Sequence, residues 1–169
     1  MRNSSHSRKE GNAAETFEWV VHTYSPMLLR VAFLYLKSQA DAEDVTQEIL
    51  IKYWQKNPKF VNEAARKTWL YKAVVNRCKD QLKSFWRSKE MPLREDLSYL
   101  QDEESMLMEC LLKLDQKYRI PLHLHYYEGY SLKEIAEILH LRPTTVGSRL
   151  HRGKEKLKTM MGGTFNETL

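Results

Sequence analysis

Four carboxylates crowd one stretch of the chain, Asp41, Glu43, Asp44 and Glu48, with Gln47 among them. On a helix, Asp44 and Glu48 share one exposed face, because residues four apart are surface neighbours. Three chemistries fit such a face: coordination of a divalent cation, docking of a basic partner, or complementing the positive end of the helix dipole. Spacing alone favours the last. A metal-dependent nuclease needs further converging ligands, and nothing else in the sequence supplies them at recognisable spacing.

A second constellation joins cations to rings. The stretch from Lys67 carries Lys72, Asn76, Lys79 and Lys83 beside Trp69, Tyr71, Phe85 and Trp86. Phosphate charge and stacking rings together hold a nucleic-acid strand. Aromatic residues at helical spacing are more often core, so Tyr71 and Phe85 are assigned to packing. Trp69 and the loop from Asn57 to Arg66 are the better candidates for base contact.

The third constellation is the most specific. From Tyr130 to Leu150 the sequence has the layout of a helix-turn-helix. Ser131 and Glu134 form a capping box, Ala136 is small where two helices must cross, and Leu141 plugs the turn. Pro143 opens the next helix, which Val146 and Leu150 pack down. Thr144, Thr145, Gly147, Ser148, Arg149, Arg152 and Lys156 then face outward, suited to base edges near the helix start and phosphates farther along. Two positions are unusual. His140 stands where glycine is common and is expected to take a left-handed backbone. Gly147 lies inside the recognition helix, at a cost of roughly 1 kcal/mol relative to alanine.

The remaining reactive groups point to no chemistry of their own. His123 and His125 sit in a helix that must pack, and no metal or other cofactor is assigned. Cys78 and Cys110 have neither metal-site spacing nor disulfide density, and read as free thiols. No phosphate-cradling glycine loop and no nucleophile-base pattern is present, so the chain does not read as an enzyme.

These residues are positioned by helices. Phe17, Val20, Val21, Tyr24, Leu28, Val31, Ala32 and Tyr35 recur at helical spacing, with Ser25-Pro26 leaving open one kinked helix or two. A helix capped by Asp41 buries Ala42, Val45, Ile49, Tyr53 and Trp54, and Asn57-Pro58 ends it. A polar loop runs to about Arg66, and Tyr71, Val74, Val75, Cys78, Leu82 and Phe85 define the inner face of the next helix. Periodicity then fades from Ser88 to about Ser105. Beyond it, helices are predicted at 106–114, 118–127, 132–139 and 143–160. No alternating strand pattern appears, so the expected fold is all-α: two small helical domains joined by a flexible linker, the second a helix-turn-helix.

The 169 residues, 42% hydrophobic, suffice for two small cores. A net charge of +5 suits a polyanion, and its distribution says more than its total. Residues 67–94 and 142–158 are strongly basic, whereas residues 95–109 hold no Lys or Arg. That alternation suggests two nucleic-acid-facing modules around a segment of different character. No apolar run approaches a membrane span and the polar start lacks a signal core, so a cytoplasmic protein is expected.

Three blocks taken together carry a resemblance: Asp41-Ala-Glu-Asp44-Val-Thr-Gln-Glu48 followed by Tyr53-Trp54; Thr68-Trp69-Leu70-Tyr71-Lys72-Ala73-Val74-Val75-Asn76-Arg77; and Thr145-Val146-Gly147-Ser148-Arg149-Leu150-His151-Arg152-Gly153. In order and spacing they resemble the extracytoplasmic-function sigma factors of the sigma-70 family, from about Glu15 to Lys158. The resemblance implies an alternative sigma factor that binds core RNA polymerase and directs promoter recognition, DNA melting and transcription initiation.

It divides the chain into a disordered tail (1–14), a region 2 domain (15–88), a linker (89–105), a region 4 domain (106–160) and a tail (161–169). Asp41, Asp44, Gln47 and Glu48 match the acidic helix that meets the clamp helices of the largest polymerase subunit, which demotes the solvated-face reading. The 57–66 loop with Arg66, Trp69, Lys72, Asn76, Lys79 and Lys83 matches the captor of the single-stranded minus-ten element. Thr144, Thr145, Ser148, Arg149, Arg152 and Lys156 match the reader of the duplex minus-thirty-five element. Gly147 replaces a commonly basic residue there. A dedicated anti-sigma partner, in many members membrane-anchored, is implied as well. The rival readings are a stand-alone dimeric helix-turn-helix regulator, which would bind duplex DNA without polymerase, and a metal-dependent nucleic-acid enzyme.

Overall fold

The computed structural model describes residues 15–88 and 102–162. Among these residues every regular element is a helix. The expected tail before Glu15, the linker residues 89–101 and the end from residue 163 lie outside them.

The first helix, α1 (Phe17–Leu36), starts where the Thr16 hydroxyl accepts from the Trp19 N–H at 3.1 Å. The Ser25-Pro26 question resolves as one continuous helix. Pro26 is exposed, so the carbonyl its missing N–H leaves behind can be satisfied by water. Lys37 closes α1 in a left-handed conformation, its N–H on Phe33 O at 2.8 Å. The next helix, α2 (Gln39–Lys56), is capped by Ser38 rather than Asp41. Ser38 Oγ accepts from the N–H of Asp41, which sits within the first turn instead. Asn57, left-handed at φ 42°, ends α2 just before Pro58.

Helix α3 (Glu63–Ser88) begins sooner than the polar 57–66 stretch predicts, because Asn62 Oδ1 caps the Ala65 N–H at 2.8 Å. Tyr24, Leu28, Val31 and Phe33 of α1 meet Ala42, Val45, Ile49 and Tyr53 of α2 and Leu70, Tyr71, Val74 and Cys78 of α3, all buried. Each such aliphatic or aromatic side chain contributes about 1.5–3 kcal/mol by leaving water. Trp54 departs from the expected buried face: it is 44% exposed and packs on Phe17, ring centroids 5.6 Å apart.

The second group starts with α4 (Asp102–Lys113), about one turn earlier than the fading periodicity predicts. Acidic residues 102–104 suit the start of a helix, where the dipole favours negative charge. Then follow α5 (Gln116–Leu122), a π-helical turn (His123–Tyr127), α6 (Leu132–Leu139) and α7 (Pro143–Met160). Gly153 explains how closely α7 approaches α5. A Cβ there would stand 2.9 Å from Leu122 Cδ1 and 3.2 Å from Tyr118 Cβ. The two groups also touch, α1 against α5 and α3 against α6.

Candidate nucleic-acid interface

The helix-turn-helix is built as its residues dictate. Ser131 Oγ accepts from the Glu134 N–H at 3.3 Å, while Glu134 Oε2 accepts from the Ser131 N–H at 2.8 Å. The Ser131 hydroxyl also donates to Glu134 Oε2 at 2.7 Å, and this bond, with that from the Ser131 N–H, holds the Glu134 carboxyl below the usual carboxylate range. His140 takes the left-handed conformation at φ 56°, and the Leu141 N–H reaches Ala136 O at 2.9 Å across the turn. Pro143 opens α7, and Val146, Leu150 and Leu157 are buried beneath it.

Thr144, Ser148, Arg152 and Lys156 are exposed on α7, with Thr145 and Arg149 half-buried. Gly147 lies against a neighbour on the protein side. Its missing side chain faces α6, where a Cβ would lie 3.3 Å from Leu132 Cδ2.

On α3 the candidate residues divide. Asn76 and Lys83 are exposed. Trp69 is half-buried, its ring 6.0 Å from Tyr53 and 6.1 Å from Phe60. Those rings fix its orientation. Arg66 is turned inward: it donates to Glu15 Oε1 at 2.7 Å and to the Tyr24 hydroxyl at 2.9 Å, and the hydroxyl donates to Glu63 Oε1. Burial pushes the Tyr24 phenol up to about 12, so this hydroxyl remains a donor. Arg66 therefore reads as a positioning residue for the α1–α3 seam rather than a DNA contact. Lys72 and Lys79, expected on an outer face, are covered by the second group. Lys72 pairs with Glu137, and Lys79 Nζ donates to Leu139 O at 3.1 Å. Burial pushes the Lys79 ammonium down, and the like charges of Lys83 and Arg149 push it further.

The acidic face of α2 presents Asp44 and Gln47 to solvent. Glu48 pairs with Arg77 at 2.7 Å and Asp41 accepts from Gln81 at 3.1 Å, so both tie α2 to α3. Beside this face, Phe17, Val21, Leu29, Glu43, Gln47, Leu50 and Ile51 line a groove of about 370 Å³ between α1 and α2. Thr46, buried in its lining, has a hydroxyl without a protein partner. No local pattern marks this groove beforehand, since its apolar rim looks like ordinary core periodicity.

The histidines are packing and hydrogen-bonding residues. His125 Nδ1 lies 2.7 Å from Tyr130 O, and His123 stacks on Tyr127 with Nε2 3.3 Å from Glu128 Oε1. Among the described residues no group of three or more His, Cys, Asp or Glu is placed to hold a metal. Glu128 is a half-buried carboxylate of a different kind. Burial pushes its pKa up, but the neighbouring polar groups of His123 and Tyr71 outweigh this and leave it below the usual value. A carboxyl depressed on folding stabilises above its unfolded pKa and loses that contribution as pH falls through the folded one. Glu128→Gln is therefore expected to flatten the loss of stability below about pH 4, read from urea midpoints across pH. An unchanged acid limb would remove Glu128 from that role.

Against known proteins, sigma-70 region 2 matches residues 20–88 and sigma-70 region 4 matches residues 104–157. The chain belongs to the sigma-70 family. It is an alternative sigma factor that directs promoter recognition and transcription initiation. Its relatives include the extracytoplasmic-function sigma factor SigW of Bacillus subtilis, 26% identical over 87% of this chain and 89% of the relative. SigV of the same species is 29% identical over 78% and 82%. Among solved structures, the sigma factor RpoE of Bartonella quintana in complex with the anti-sigma factor NepR superposes with a TM-score of 0.70 at 20% identity, covering 88% of this chain and 98% of that one. CnrH, in complex with the cytosolic domain of CnrY, gives 0.63 at 23% identity, covering 88% of each. The sigma factor has no helix, among its described residues, long and apolar enough to cross a membrane.

Proposed function

We propose that this sigma factor docks on core RNA polymerase through α2 and the groove beside it, holds the opened minus-ten strand on α3, and reads the minus-thirty-five duplex with α7. The observation that carries the first step is the juxtaposition of exposed Asp44 and Gln47 with an apolar groove holding the unpartnered Thr46 hydroxyl. That surface suits a basic amphipathic helix pair such as the polymerase clamp. The second step rests on Trp69, Lys72, Asn76, Lys79 and Lys83, and the third on Thr144, Thr145, Ser148, Arg149, Arg152 and Lys156. Strand opening needs no covalent step, because stacking and phosphate contacts available only to an opened strand shift the duplex equilibrium. The complex of one solved neighbour with the anti-sigma factor NepR supports a regulatory partner of the same kind here.

The test is competition with the housekeeping sigma factor for core polymerase. Asp44→Ala is expected to weaken assembly by about tenfold, as removal of one interfacial charge does. Wild-type protein that fails to associate with core polymerase at moderate salt would overturn this reading in favour of a stand-alone regulator.

A further inference from the structure

Where the two helical groups meet, several cations have partners that suit them. Lys72 has the Glu137 carboxylate, Arg119 has two carbonyls, and Arg30 of α1 has the Tyr127 ring, 4.6 Å from its guanidinium carbon. A pocket of about 190 Å³ on the same seam breaks that pattern. Lys79 of α3, Lys117 of α5 and Arg149 of α7 line it beside Tyr35 and Gln116, and no carboxylate does. Arg149, half-buried, makes neither an ion pair nor a hydrogen bond among the described residues. Lys117 reaches Asp115, which is 4.0 Å away and outside the lining. Lys79 has the Leu139 carbonyl, which orients the ammonium without cancelling its charge.

Cations gathered without a counter-charge repel. The effect reaches Lys79, whose ammonium is pushed down by burial and further by Lys83 and Arg149. An anion in the pocket would turn those repulsions into attractions. Its class follows from the lining. Ammonium and guanidinium groups arriving from different helices suit a compact polyanion with acceptor oxygens on every side, and a guanidinium matches phosphate oxygens in pairs. The volume lies below the roughly 300–1,000 Å³ of pockets that enclose a drug-sized ligand, so it suits phosphate groups rather than a whole nucleotide.

We propose that this pocket is a binding site for a diphosphate, either the free inorganic anion or the diphosphate end of a nucleotide, gripped by Lys79, Lys117 and Arg149. An anion that binds only the folded chain raises its stability. Arg149 is also assigned to promoter DNA, so the bound anion takes that guanidinium from the duplex. Only this last consequence rests on the proposed reading by α7.

The experiment titrates the full chain with pyrophosphate by calorimetry in magnesium-free buffer, with potassium chloride holding ionic strength constant, and follows thermal unfolding over the same range. One-site saturation is expected, with a midpoint that climbs as pyrophosphate is added. Lys117→Glu, at an exposed side chain, is expected to weaken binding about tenfold or more, because a charge-assisted hydrogen bond is lost and a repulsion added. Arg149→Gln, on a different helix, is expected to do the same. Lys158→Glu makes the same charge change on α7 outside the pocket, where salt screens it, and is expected to cost less than about twofold. ADP separates the sources: tighter binding than pyrophosphate assigns the site to a nucleotide's diphosphate, weaker binding to the free anion.

A midpoint set by ionic strength alone, whichever salt supplies it, would overturn the site. Equal weakening by Lys158→Glu and Lys117→Glu would overturn it as well, leaving diffuse attraction to a basic chain. Pyrophosphate binding that survives Arg149→Gln unchanged would overturn the shared grip, whatever that variant does to promoter binding.

Discussion

Replacing Arg119 by methionine is expected to lower the unfolding free energy by about 3 kcal/mol, since charged hydrogen bonds are worth about 1.5–3 kcal/mol each. Arg119 is 6% exposed and belongs to α5, yet its Nε donates to Leu34 O in α1 and one Nη to Leu114 O at 2.9 Å. One planar fork thus satisfies carbonyls from both helical groups. Methionine fills comparable volume but leaves the acceptors without their donor, and a lysine cannot reproduce the fork. Arg119→Lys is therefore expected to recover less than half of the loss. Urea unfolding followed by circular dichroism checks this through the midpoint at constant slope. A loss below about 1 kcal/mol would mean that water reaches these carbonyls when the guanidinium is gone.

The largest functional effect is expected from Arg149→Ala with Arg152→Ala. Both lie on α7, Arg152 exposed and Arg149 half-buried. Loss of a base or phosphate contact costs about 1–3 kcal/mol, so the pair should weaken holoenzyme binding to promoter DNA by about a hundredfold or more. If both contact phosphate, the slope of log affinity against log salt should fall by about two. Competition for core polymerase should be unchanged, because neither residue belongs to α2 or its groove. A loss of less than about threefold would take α7 off the DNA, since one contact alone should cost more.

Local signals in the sequence were strong wherever geometry depends on neighbouring residues. The capping box at Ser131 and Glu134, the proline opening α7 and the left-handed His140 all stand as predicted, because each obeys a rule of backbone hydrogen bonding. Where another capping residue stood nearby, the helix start moved from the predicted position. Ser38, not Asp41, caps α2, and Asn62 starts α3 inside the stretch predicted as loop. Trp54 keeps helical register with the core but lies over Phe17 at the rim.

What the sequence did not disclose is how the two groups meet. Glu137, Arg119, Arg30 and the Leu139 carbonyl reach across singly, and single long-range contacts leave no periodicity. The same limit hid the covering of Lys72 and Lys79: their spacing marks a shared face of α3, and nothing local says what lies against it.

Gly147 has a consequence for anyone wishing to retarget this protein to a new promoter. The obvious substitution, a basic side chain on the recognition helix at that position, would start its Cβ only 3.3 Å from the Leu132 methyl. An arginine there needs the exposed Leu132 side chain to give way by a few tenths of an ångström. Specificity engineering at residue 147 is therefore a two-site problem, and a library that varies it should offer smaller residues at 132 in the same clones.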